Sequence, residues 1–196
     1  MITNNEMKLK ALLKGLSVKF GITPQATLQM YCLERLLDRI AASRFRKLPL
    51  TVDLTTGDTI IPHEIEYMYK CVFDDKEIPV LAYPLENVFA EKLDTIVSRG
   101  AANTRTRDFY DVYMLYALKK DEINFKTLRI ALEATSRRRN TFETLEGYPQ
   151  ILESIKVDLV QNDFWKRFVA KNPFAKGITL PQVLDCAKEI LDLTGV

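Results

Sequence analysis

The sequence predicts an α+β protein, helical for most of its length, with a small and mainly antiparallel sheet near the middle. Three observations predict it. Apolar residues recur with a helical period before Lys47 and after Pro84, whereas between Lys47 and Tyr83 the period drops to two. The β-rich runs in that stretch are joined by connections too short for a parallel crossover. Gly and Pro are scarce, 7 and 8 in 196 residues, in a chain 47% hydrophobic and 28% charged, the balance of a folded protein that can bury a sizeable interior. The expected organisation is an N-terminal helical hairpin over 1–47, a core over 48–123 and a C-terminal helical region over 124–196.

The first helix is expected from Met7 to Phe20, with Met7, Leu9, Leu12, Leu13, Leu16 and Phe20 on a broad apolar face and Gly21 placed to end it. A second begins after Thr23, which can cap it, and Pro24, whose missing N–H is harmless in a first turn; its stripe runs through Leu28, Tyr31, Leu36 and Ile40 to about Phe45. Then come three β-rich runs, LTVDLTT, EIEYMYKCVF and EIPVLAY, separated by Gly57-Asp58 and Asp74-Asp75-Lys76. Helical period returns in LENVFAEKLDTIVSR, breaks at Gly100 and resumes from about Arg107 in RDFYDVYMLYALKK. From Asn124 onward three more helices are expected, with breaks near Gly147-Tyr148-Pro149 and Asn172-Pro173.

Charge and cysteines exclude several classes. A net charge of +2 and a pI near 8.3 do not by themselves announce a nucleic-acid binder. Cys32, Cys71 and Cys186 are odd in number, far apart and without a CxxC pair, so neither a disulfide framework nor a zinc site is indicated; buried thiols in a reducing cytoplasm are expected. No apolar run is long enough for a signal peptide or a membrane span, which also points to the cytoplasm. The one histidine, His63, lies between Pro62 and Glu64 without partners at useful spacing and reads as a surface residue.

Three stretches carry residues that could do chemistry. Asp53 stands between Val52 and Leu54 in a strand, an arrangement that holds a metal ligand or a base rigidly; an acid on the solvent face, beside Thr51 and Thr55, gives the same pattern. Lys92 lies on a helix whose stripe is Val88, Phe89, Leu93, Ile96 and Val97, where it either reaches a phosphate or is a solvated cation among Glu91, Asp94 and Arg99. In TRTRDFYDVYMLY, Asp108 and Asp111 are three apart and share a helix face near its start, with Arg105 and Arg107 just before them. That start is either a first turn with acids that suit the helix dipole or a carboxylate pair beside arginines suited to phosphate. Arg137, Arg138 and Arg139, with Lys166, Arg167, Lys171 and Lys176, form either a basic face for RNA phosphates or solvated helix ends, and Trp165 reads as a core anchor.

Taken in order, LTVDLTTGD, PLENVFAEKLDTIVSRG and TRTRDFYDVYMLY resemble the AbiEii/AbiGii family, nucleotidyltransferase-like toxins of type IV toxin–antitoxin pairs within the DNA-polymerase-β-like superfamily. MYCLERLLDRIAASRFR and NDFWKRFVAKNPFAKGITLPQVLDCAKEI extend the likeness over nearly the whole chain. The resemblance implies a polymerase-β-like core and a phage-defence function. It further implies Mg²⁺-dependent transfer of nucleotides from an NTP to an RNA acceptor such as tRNA, and a winged-helix antitoxin encoded upstream. By the same resemblance Lys92 would contact nucleotide phosphates, with Arg105, Arg107 and Asp111 beside the nucleotide. Asp108 would orient or polarise the reacting group, and Asp53 would complete a carboxylate set around Mg²⁺. One departure is marked. The family's first motif, a Gly-Ser turn that cradles triphosphate, has no counterpart, because no Gly-Ser dipeptide occurs and the segment SRFRK runs directly into LPLTVDLTTGD. A truncated core follows from this, and with it an alternative: an inactive module that binds antitoxin or RNA, or a degenerate remnant of such a toxin.

Overall fold

The computed structural model describes residues 6–21, 23, 24, 27, 28, 30–32, 59–71 and 76–196. The chain divides into two compact units, Met1–Asp58 and Thr59–Val196. In the first, helix α1 spans Glu6–Phe20 and buries Leu13 and Ser17, one turn apart. Gly21, at φ 65°, ends it in the left-handed region that glycine tolerates. Pro24, Thr27, Leu28 and Met30 to Cys32 are again helical, and the Thr27 amide and hydroxyl both donate to the Thr23 carbonyl at 3.0 Å. The remainder of that expected helix and the whole expected strand around Asp53 lie outside the described residues.

The second unit opens on a hairpin. Strand β1 (Ile65–Lys70) pairs antiparallel with β2 (Glu77–Ala82), Ile65 opposite Ala82 and Lys70 opposite Glu77. The Cys71 amide donates to the Lys76 carbonyl at 2.9 Å, which puts Met68 and Pro79 at a pair that exchanges no hydrogen bonds. The nitrogen of Pro79 therefore faces away from β1, and the ladder loses nothing to it. Every residue of β1 is exposed, and so is every residue of β2 except the half-buried Ala82.

The rest is helical. Helix α2 spans Leu85–Arg99, as its apolar period predicts, and buries Phe89, Ala90, Leu93, Ile96 and Val97 on one face. Buried Asn87 ties the approach to β1 onto this helix: its Oδ1 accepts from the Ile61 amide and its Nδ2 donates to the Thr59 carbonyl, both at 3.0 Å. Gly100, at φ 50°, turns the chain into a single 3-10 turn, Gly100–Ala102. Helix α3 (Thr106–Lys119) buries Phe109, Val112 and Tyr116, and α4 (Phe125–Arg139) starts at Asn124, whose side chain accepts from the amides of Lys126 and Thr127.

From Asn124 onward the three expected helices are five: the breaks expected near Gly147 and Asn172 hold, but α4 already ends at Asn140 in the left-handed region, followed by α5 (Phe142–Leu145), α6 (Tyr148–Val157), α7 (Leu159–Lys171) and α8 (Leu180–Thr194). The division at Asp158 contains neither Gly nor Pro. Asp158 adopts extended backbone and caps α7 by accepting from the Gln161 amide at 2.8 Å, so a carboxylate does what a breaker residue usually does. Helix α8 starts with a reciprocal capping box between Thr179 and Gln182.

Helix α2 packs on α4, α3 on α8, and α6 on α8, around a single cluster that includes Phe89, Phe109, Leu128, Leu152 and Leu184. This core is continuous across the boundary expected at 123/124. Trp165 is buried as expected and donates its indole N–H to the Ile178 carbonyl at 3.0 Å. His63 is exposed. The cysteines differ from expectation: Cys32 is exposed, Cys71 and Cys186 are half-buried, and all three are free thiols. Among the described residues no helix is long and apolar enough to cross a membrane.

Candidate functional site

Lys92 projects from the middle of α2, next to the buried stripe of Phe89 and Leu93, toward the first turns of α3. Its Nζ lies 3.1 Å from Asp108 Oδ1 and 2.8 Å from Asp111 Oδ2. The two carboxylates are three residues apart on one helix and so face the lysine together, as their spacing predicts. The side chains of Lys92, Asp108 and Asp111 are 23%, 17% and 27% exposed, so the cluster is partly shielded but open on one side.

An ammonium has three donors, and two are used here. Among the described residues the third has no partner. Burial alone would lower the pKa of Lys92, but hydrogen bonds to Asp111 and Asp108, together with their charges, outweigh it and raise the pKa above the ordinary lysine value. The lysine is therefore held charged, and among the described residues one of its N–H groups donates to no partner.

The arginines take different places. Arg107 Nε lies 3.8 Å from Asp111 Oδ1 on an 81% exposed side chain, a loose contact across one helical turn. Arg105 is exposed and makes no ion pair among the described residues; it precedes α3, which no side chain caps. With Lys92 and Arg107 against Asp108 and Asp111, the formal charges of the cluster sum to zero. Asp53 lies outside the described residues. Among those residues no group of three or more His, Cys, Asp and Glu is placed to hold a metal ion, and Asp108 and Asp111 each turn an oxygen to Lys92, so these side chains do not by themselves fit Mg²⁺.

The Arg137-Arg138-Arg139 run does not present one surface. The Arg137 guanidinium stacks 3.8 Å over the Phe142 ring, and Arg138 is exposed. Arg139 instead turns inward to α2, where its Nη1 donates to Asp94 Oδ2 at 3.0 Å and to the Glu91 carbonyl at 3.2 Å.

Sequence reasoning missed this second cluster. Asp94 is buried, its side chain 2% exposed, and it also accepts from the Thr141 hydroxyl. A signal was present, since Ala90, Leu93, Asp94 and Val97 form one helical stripe in which Asp94 takes a core position. Gln161 was missed in the same way, on a stripe with Trp165 and Phe168.

Neither a search of curated proteins nor one of solved structures finds a match. A family model does match, over residues 15–185, and its description is Nucleotidyl transferase AbiEii toxin, Type IV TA system. That span takes in both units and every side chain of the Lys92 cluster, and the chain belongs to the AbiEii family of nucleotidyltransferase-type toxins of type IV toxin–antitoxin systems.

Proposed function

We propose that this toxin transfers a nucleotidyl group from an NTP to an RNA acceptor, tRNA in the first instance, with Lys92 as the phosphate-handling residue. The supporting observation is the lysine held charged between two carboxylates, its third N–H without a partner among the described residues. In this reading that N–H meets a triphosphate oxygen, while exposed Arg105 and Arg107 add positive charge at the start of α3. Asp108 orients the ammonium and polarises the acceptor hydroxyl. The hydroxyl gives its proton to the Asp108 carboxylate, and its oxygen bonds to the α-phosphorus as the bond to pyrophosphate breaks in line. Asp53 and Mg²⁺ belong to the proposal as the family resemblance implies them, the ion as counter-charge to the triphosphate. Arg137 and Arg138 supply RNA contacts, Arg139 being taken up by Asp94. The antitoxin of the pair is a winged-helix protein encoded upstream.

A second reading has its own observation. The seven glycines, at 15, 21, 57, 100, 147, 177 and 195, are never followed by serine, so the phosphate-cradling turn is missing, and the Lys92 cluster is electrically neutral. A chain without that cradle works as a module that binds RNA or antitoxin.

Incubation of the protein with tRNA, Mg²⁺ and each labelled NTP separates the two. The enzyme reading expects incorporation that needs Mg²⁺ and falls by about a hundredfold or more in Lys92→Ala and Asp108→Ala. Binding of tRNA or antitoxin without incorporation of any of the four nucleotides overturns it in favour of the module.

A further inference from the structure

The loop between α2 and α3 decides where α3 starts, and it is held from a helix far along the chain. Gln161, buried in the first turn of α7, donates from Nε2 to two loop carbonyls, Ala101 at 2.7 Å and Asn103 at 2.8 Å. Asn103 is fully buried, and its Oδ1 accepts from the Arg105 amide at 2.8 Å. The Arg105 carbonyl then accepts from the Asp108 amide at 2.9 Å. A continuous set of hydrogen bonds thus runs from α7 to the turn that carries Asp108.

The residue before α3, Arg105, makes no side-chain cap of its own, so the local hold on this start is the Asn103 side chain on the Arg105 amide, and Asn103 is in turn held by Gln161. Gln161 has little play, because Asp158 accepts from its amide and Trp165 follows one turn later on the same inward stripe. An apolar residue would fill that stripe equally well, but it would leave the buried Asn103 carbonyl without a donor. The amide therefore serves the loop more than the packing of α7.

We propose that Gln161 is a positioning residue for the Lys92 site: by fixing the Ala101 and Asn103 carbonyls it sets the start of α3 and brings Asp108 and Asp111 onto the lysine. Its consequence for nucleotide transfer rests on the function proposed above, whereas its consequence for Lys92 itself does not.

Trace labelling of lysines with acetic anhydride, read residue by residue by mass spectrometry, tests it on the full chain. Lys92 is expected to react slowly relative to exposed Lys126, because its proton is held by the two aspartates. Gln161→Glu keeps the size but sets acceptors against the two carbonyls, and Gln161→Met removes the donor while remaining apolar. Both are expected to raise the Lys92/Lys126 labelling ratio about threefold or more, since each unit of amine pKa is worth tenfold in free amine. Leu191→Ala, a cavity in the same core but in α8, is expected to lower stability and leave the ratio unchanged. An unchanged ratio in Gln161→Met, or an equal rise in Leu191→Ala, overturns the proposal. With incorporation measurable, Gln161→Met should lower kcat more than it raises KM; absence of incorporation in the wild type sinks the function proposed above and leaves the labelling result to stand alone.

Discussion

Two clusters two residues apart on α2 make opposite use of the same chemistry. Lys92 faces α3, stays partly open and spends two of its three donors on Asp108 and Asp111. Asp94 faces the other way into the core and is closed: its oxygens are taken by Arg139 and the Thr141 hydroxyl, and its side chain is 2% exposed. A buried charge with all its partners holds helices in one arrangement, whereas a charge with an uncommitted donor at the surface is available for exchange. The difference separates a residue that fixes α2 against α4 from one suited to a ligand.

The largest expected effect comes from breaking the closed cluster. Arg139→Met leaves Asp94 buried without its cation, and about 3 kcal/mol of stability should go, read as a shift of the urea midpoint at unchanged slope. Adding Asp94→Leu to the same chain should recover most of the loss, because no charge is then left stranded. A double variant as unstable as the single one would show that the cluster is held by something other than this pair.

The open cluster should matter less to stability. Lys92→Met leaves Asp108 and Asp111 facing each other without their cation, but both retain access to water, and the expected loss is about 1 kcal/mol. A loss as large as that of Arg139→Met would erase the distinction between the two sites.

How much of this was legible beforehand follows from the range of each interaction. The bounds of α2 follow from its period and Gly100, and the meeting of Asp108 with Asp111 from their spacing, because both are local. That they would meet Lys92 rested on family resemblance rather than on any pattern within one helix. Asp94 was set among the solvated charges of α2 although its position on the stripe is a core one, and its partner Arg139 lies 45 residues further along, where no periodicity connects them. The arginine run reads from the sequence as either one basic face or a solvated helix end; successive helical residues point about 100° apart, so three in a row cannot share a face, but which of them turns inward depends on the distant Asp94.

A smaller effect lies in alkaline solution. The pKa of Lys92 is raised in the folded chain, so the folded state holds that proton more tightly than the unfolded one. The stabilisation is complete below 10.5, the ordinary lysine value, and is lost as pH rises through the higher folded value. The stability gap between wild type and Lys92→Met should therefore stay constant near neutrality and narrow above pH 10.5, while other groups that titrate there cancel in the difference. A gap that widens with pH would mean that the aspartates do not hold the lysine proton.

The smallest expected effect sharpens the comparison most finely, because it concerns a cation at the rim of the open cluster. Arg107 is 81% exposed and sits 3.8 Å from Asp111, so water screens the pair and the long side chain gives up rotamer freedom to make it. Arg107→Ala should leave the unfolding free energy from urea titration within about 0.5 kcal/mol of the wild type. It should also leave the Lys92 labelling ratio unchanged, since Asp111 turns its other oxygen to the lysine at 2.8 Å. If Arg107 is there for a ligand, its removal should instead weaken triphosphate binding, and more so at low salt than at high, because an exposed cation acts through a field that salt screens. Loss of stability without loss of binding would make Arg107 part of the scaffold and restrict the functional surface to Lys92 and its two aspartates.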